Sequence, residues 1–144
     1  VVLLEAVRQD VQRAWPDALH AATAGDVLGE LLDMAEEFLA NDRKDAAAVI
    51  TGSVLDGYLR TLAKHRSVET HYVDETKQRR SKPAQALNDE LHSARVYVRG
   101  DRKQIAAWLD LRDDAAQGNY DEYTDAHVKL MVQGVRDFIG RVPA

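Results

Sequence analysis

Apolar residues recur at the helical period along most of this 144-residue chain. Four stretches show the pattern most clearly, namely Val1 to about Ala14, Asp26 to about Ala40, Arg43 to His65, and Thr124 to Val142. In each, apolar side chains return at spacings of three, four and seven residues, as on the buried face of a helix. The pattern therefore predicts four helices. The one over residues 43–65 is apolar over the widest arc and is expected to be the most buried.

Residues that start or break helices divide the chain further. Pro16 should end or kink the first helix, because proline lacks an amide donor and crowds the preceding turn. Asp26, Asp101 and Thr124 are the predicted N-caps of three helices, since a short polar side chain can accept a free amide there. Pro83 suits the first turn of another helix that runs to about residue 95.

The stretch Ser67–Lys82 is polar and has no apolar period, so we expect a long loop or a short exposed helix. No segment alternates with period two for long enough to predict a strand. The sequence therefore predicts an all-α protein, an antiparallel bundle of about five to six helices. We expect one domain over residues 1–144, and the Val-Val start without a methionine indicates a piece of a longer protein.

A charged residue interrupts the apolar stripe of the helix predicted over residues 101–117. Arg112 falls on that stripe, and a guanidinium cannot lose its charge, so it needs a partner or an open cleft. Asp56, between Leu55 and Leu59 on the most buried helix, is either an exposed charge or the natural partner of Arg112. The helix should stop at Gly118, a plausible left-handed cap. The stripe itself consists of Ile105, Trp108, Leu109, Ala115 and Ala116.

Composition narrows the possible chemistry. There are no cysteines, and the five histidines lack the spacing of a zinc motif, so we expect neither a metal nor a cofactor. No apolar run is long enough to span a membrane, and we expect a cytoplasmic protein. With a net charge of −5, nucleic-acid binding would need a local basic patch. Such a patch could hold phosphates beside Arg112, or it could be only a solvated loop; its residues are Lys77, Arg79, Arg80, Lys82, Arg102 and Lys103.

Three segments, in this order along the chain, resemble HEPN-like domains of bacteria. The first is the alanine-rich stretch Ala46–Asp56, which contains Gly-Ser followed by Leu-Asp. The second is Leu87–Leu91. The third, Trp108–Tyr120, resembles the family motif of an Arg, a polar residue, a short spacer and a His. The resemblance covers the chain from about Asp26 to Ile139.

The resemblance implies a helical bundle that forms a homodimer through the helix 101–117, and active relatives are metal-independent endoribonucleases. By position, Arg112 would steady the scissile phosphate and Asp113 is the polar residue. Gln117 occupies the place of the His. Glutamine does not titrate near pH 7, so it cannot act as a general acid or base.

The resemblance therefore implies a dimerising RNA-binding or interaction module in a larger defence or toxin-type protein. Two alternatives remain open at this point. One is a metal-independent endoribonuclease in which Gln117 replaces a catalytic histidine. The other is a helical protein–protein interaction domain that does not bind RNA.

Overall fold

The computed structural model describes residues 24–144, where five helices and a short β-hairpin confirm the all-α bundle. The helix predicted over residues 1–14 and the break at Pro16 lie outside the described residues. The two strands are β1 (His71–Val73) and β2 (Arg79–Ser81), and a 3₁₀ turn spans Tyr120–Glu122. The helices are α1 (Ala24–Ala40), α2 (Lys44–His65), α3 (Ala84–Ser93), α4 (Arg99–Gln117) and α5 (Asp125–Arg141).

Helix α2 is the centre of the bundle and packs against each of the other four helices. Fourteen of its 22 residues are buried, which confirms the prediction that this helix is the most buried. Its small residues matter as well as its large ones, because the side chain of Arg112 on α4 lies against it at Gly52. The core around it includes Leu55, Leu59, Leu62, Ile105, Leu109 and Phe138.

Two predicted helix ends are confirmed. Gly118 ends α4 in the left-handed conformation with φ 83°, where glycine avoids the steric cost that other residues bear. Thr124 caps α5, since its hydroxyl accepts the amide of His127, whose ring in turn accepts the amide of Thr124. His127 is therefore part of a helix cap.

Two other predicted N-caps are wrong. Ala24 is already helical, so Asp26 lies inside α1. Helix α4 begins at Arg99, where Val98 occupies the cap position without a side-chain bond. Asp101 instead accepts a 2.9 Å hydrogen bond from Arg141 and ties α4 to the end of α5. This tertiary ion pair gives a role to Asp101, which the sequence predicted to be a helix cap.

The segment Ser67–Lys82 is a β-hairpin, so the prediction of a loop or short helix without strands is wrong there. Strands β1 and β2 pair antiparallel over three residues each, too short for an alternating pattern to show in the sequence. The turn depends on Asp74, whose carboxylate accepts hydrogen bonds from Thr76, Gln78 and Arg80. The bonds from Thr76 and Arg80 are the main reason that the pKa of Asp74 falls to about 2.

Candidate functional site

Arg112 lies where α4 crosses α2, and its side chain is only 21% exposed. The hydrocarbon part of the side chain passes directly over Gly52. A methyl group on Gly52 would lie 2.5 Å from Cβ and Cδ of Arg112, well inside van der Waals contact. Glycine at this position therefore lets the arginine lie flat between the two helices.

The guanidinium of Arg112 is held by two carboxylates. Nη1 donates to Oδ2 of Asp56 at 3.0 Å, while Nε and Nη2 both donate to Oδ1 of Asp113, at 3.2 and 3.1 Å. The other oxygen of Asp56 accepts a 2.7 Å bond from Nε of Arg60, one turn further along α2. Two cations and two anions thus balance, and Arg112 has its charge neutralised within the protein.

Arg60 connects this ion-pair network to the base of the hairpin. Its Nη1 donates to the hydroxyl of Ser81 at 2.9 Å, and its Nη2 donates to the carbonyl of Lys82 at 2.8 Å. Asp56 orients Arg60 from the other side. The hairpin and α4 are therefore held to α2 through one shared carboxylate.

Gln117 does not share this environment. It lies exposed in the last turn of α4, and five residues along a helix correspond to about 140° of rotation away from Arg112. The chain after it is fixed, because Nζ of Lys44 donates to the carbonyls of Tyr120 and Tyr123, each at 2.7 Å. Within one copy of the protein, Arg112 faces the core and Gln117 faces outward.

The six basic residues predicted to bind RNA do not form one free patch. Arg80, Lys82 and Arg102 are paired with Asp74, Glu90 and Asp89, respectively. Because Asp89 and Glu90 are consecutive on α3, their partners approach that helix from different sides. Lys77, Arg79 and Lys103 make no ion pair with another described residue; the first two lie on the hairpin and the third lies on α4.

A groove of about 740 Å³ runs between the outer faces of α4 and α5. Its floor is Trp108, whose ring lies on Gly134; a methyl group there would be 2.7 Å from Cη2. Leu130 stands on the rim and is 63% exposed. The groove was not predicted from the sequence. The one signal of it was Leu130, a large apolar residue that lies off the apolar stripe of α5. The lining consists of Lys103, Gln104, Ala107, Trp108, Leu111, His127, Leu130, Gln133 and Gly134.

We expect Asp56→Asn to lower the free energy of unfolding by about 1–2 kcal/mol, because it leaves two half-buried guanidinium groups without their shared carboxylate. Urea denaturation measures this difference. The matched control is Asp33→Asn on α1, whose carboxylate is 71% exposed and pairs with Arg136, so the cost should stay below about 1 kcal/mol. Equal losses in the two variants would show that Asp56 is no more than a surface charge.

Comparison with known proteins adds no family to this description: no family model, curated protein or solved structure matches the chain. The HEPN-like resemblance therefore stays a prediction. Among residues 24–144, no helix is both long and apolar enough to cross a membrane. The same residues contain no cluster of three or more histidines and carboxylates that could hold a metal ion.

Proposed function

We propose that this chain is a HEPN-like interaction module that has no ribonuclease activity and pairs with a second copy of itself through the outer face of α4 and α5. The observation that carries the proposal is the apolar groove beside α4, a helix whose exposed basic residues lie near its N-terminus and whose exposed acidic residues lie near its C-terminus. The proposal places the module within a longer protein, where pairing would bring two such chains together.

The groove supplies the apolar part of such a contact. Trp108 and Leu130 are large apolar side chains that α2 does not cover, and Ala107 between them allows a neighbouring helix to come close. Buried tryptophans often dominate binding free energy at interfaces. Large apolar side chains left exposed around a groove are consistent with a surface that binds another protein.

The charges of α4 favour a second copy as the partner. Apart from Asp101 and Arg112, which are held in tertiary ion pairs, its N-terminal half is basic and its C-terminal half is acidic. The basic residues are Arg99, Arg102 and Lys103, and the acidic residues are Asp110, Asp113 and Asp114. This order opposes the helix macrodipole, which favours anions at the N-terminus and cations at the C-terminus. Helix stability therefore does not account for the arrangement.

A two-fold axis does account for it. When the two-fold axis of a dimer is perpendicular to α4, the helix meets itself antiparallel, so the basic half of each α4 faces the acidic half of the other. Lys103, Ala107, Leu111 and Asp114 follow spacings of four, four and three, and so share one face. The midpoint between Lys103 and Asp114 falls at Trp108 and Leu109, beside the groove.

The ion pairing of Arg112 supports the absence of ribonuclease activity. An arginine that steadies a phosphate must present donors to it, but three donor atoms of Arg112 already bind Asp56 and Asp113. Gln117 cannot exchange protons, and loss of general acid–base catalysis alone costs about 10²–10⁴ in rate. Both residues of the motif therefore lack what the cleavage reaction needs.

The test is RNA cleavage without metal by the unmodified chain and by Gln117→His, with Arg112→Ala as the control for contaminating nuclease. We expect no cleavage above the control from either protein, because a new imidazole does not free the arginine. Cleavage by the unmodified chain that disappears in Arg112→Ala would establish the ribonuclease alternative. Cleavage by Gln117→His alone would show that the site can still orient a phosphate, and would contradict a purely structural role for Arg112.

A further inference from the structure

The outer edge of β1 has backbone groups that no other strand within residues 24–144 uses. The amide of Asp74 donates to the carbonyl of Gln78, and the amide of Lys82 donates to the carbonyl of Thr70. Since hydrogen-bonded pairs alternate along an antiparallel ladder, Tyr72 also pairs inward, with Arg80. His71 and Val73 therefore direct their N–H and C=O groups outward, away from β2.

The two edges of the hairpin differ in protection. Strand β2 is Arg79-Arg80-Ser81 and is fully exposed, and charged side chains on an edge discourage another strand from pairing there. Strand β1 contains no aspartate, glutamate, lysine or arginine, and two of its side chains are large and exposed: Tyr72 is 46% exposed and Val73 67%. The β1 edge is thus the unprotected one.

The segment around the hairpin is basic in an acidic protein. Residues 64–82 contain six lysines and arginines against three acidic residues, an excess of three positive charges in a chain whose net charge is −5. The remaining residues together therefore carry −8. Lys77 and Arg79 extend from the hairpin without an ion pair to another described residue, so the local field favours a partner with negative charge.

We propose that the outer edge of β1 accepts an extended segment of a partner protein as a third strand, with apolar or β-branched residues opposite Tyr72 and Val73 and acidic residues on either side. Main-chain hydrogen bonds to His71 and Val73 would supply the register, as in other cases of strand addition. Tyr72 and Val73 point to opposite faces of the hairpin, and only a β-strand contacts both faces at once.

Two other occupants fit less well. The hairpin of a second copy would bring two basic segments together, which costs binding free energy through like-charge repulsion. A single-stranded nucleic acid would use the positive charge and could stack a base on Tyr72, but it has no use for the outward amides or for the opposite face at Val73. An acidic peptide strand uses all of these features.

The experiment uses the full chain and a designed ten-residue peptide with alternating valine and threonine at its centre and glutamates at both ends. Amide hydrogen exchange is followed by NMR with the peptide at about ten times its Kd, where edge amides that become bonded should exchange about tenfold more slowly. We expect this slowing at His71 and Val73. The amide of Tyr72, already bonded to β2, should change little.

A matched pair of variants separates strand addition from attraction of charge. Val73→Pro removes the outward amide but no bond of the hairpin, and should reduce peptide affinity at least about tenfold, whereas Val73→Thr should bind like the unmodified chain. The Tyr72 amide reports whether the hairpin persists in Val73→Pro. If that variant loses the hairpin, amide exchange at His71 and Val73 in the unmodified chain still tests whether the peptide binds as a third strand.

Three results would overturn the proposal. The first is failure of the peptide to bind, and the second is peptide binding without slower exchange at His71 and Val73. The third is tighter binding of a single-stranded oligouridylate than of the peptide, weakened by Arg79→Gln but unaffected by Val73→Pro. That last result would assign the hairpin to nucleic acid.

Discussion

Gly52→Ala is expected to lower the free energy of unfolding by about 1–3 kcal/mol, although the same change in an open helix raises it by about 1 kcal/mol. The new methyl group would overlap the hydrocarbon part of Arg112, which lies on α2 at this position. To relieve the overlap, Arg112 must leave Asp56 or α4 must move away from α2. Either response gives up an ion pair or the packing of buried neighbours such as Leu109.

The matched control for this prediction is Gly29→Ala. Gly29 lies within α1, and a methyl group there would meet no atom of the described residues within 4 Å. We expect this variant to be more stable by about 0.5–1 kcal/mol, because alanine loses less backbone entropy on folding than glycine does. Urea denaturation of both variants measures the difference. A gain of stability in Gly52→Ala similar to that in Gly29→Ala would contradict the close crossing of α2 and α4.

The sequence could predict features that depend on local pattern or on a misplaced charge. The apolar arc of residues 43–65 identified the central helix, and Gly118 identified the end of α4 because few other residues tolerate its conformation. Arg112 on an apolar stripe required a nearby anion, and Asp56 was the acidic residue in the apolar middle of the most buried helix. The hydrogen bond between Arg112 and Asp56 follows from that requirement and from the small size of Gly52, which lets the arginine lie against α2.

Features that depend on residues far apart in the chain could not be predicted in this way. The hairpin is held by the turn at Asp74 and by Arg60 on another element, and neither leaves a periodic signal. Asp101 was predicted to be a cap, but it lies inside α4 and pairs with Arg141 from the far end of the chain. The floor of the groove is formed by Trp108 where it meets Gly134 across two helices. In each case a tertiary partner determines the role of the residue.

Reversal of one charge on the outer face of α4 is expected to weaken self-association by about tenfold or more, since like charges placed opposite each other cost several kcal/mol in an interface. In the antiparallel arrangement, Lys103 of one copy faces Asp114 of the other, and the contact occurs twice because of the two-fold axis. Lys103→Glu or Asp114→Lys therefore creates two repulsive contacts in each symmetric dimer. Neither residue packs in the core, so the helices should remain folded.

A control variant reverses a charge that does not lie on this face of α4. Arg136→Glu on α5 reverses an exposed charge that pairs with Asp33 and Glu36 of α1, away from the groove. We expect it to leave self-association unchanged. A loss equal to that of Lys103→Glu would mean that net charge, rather than the face of α4, controls association.

The most direct test of the proposed pairing is sedimentation velocity of the Lys103→Glu and Asp114→Lys variants, alone and mixed in equal amounts at low salt. The proposal predicts that each variant alone is mainly monomeric. It also predicts that the mixture forms dimers, because a glutamate at 103 in one copy then faces a lysine at 114 in the other, while the second contact keeps its natural pair. Failure of the mixture to associate, or a monomeric unmodified protein under the same conditions, would contradict pairing through α4.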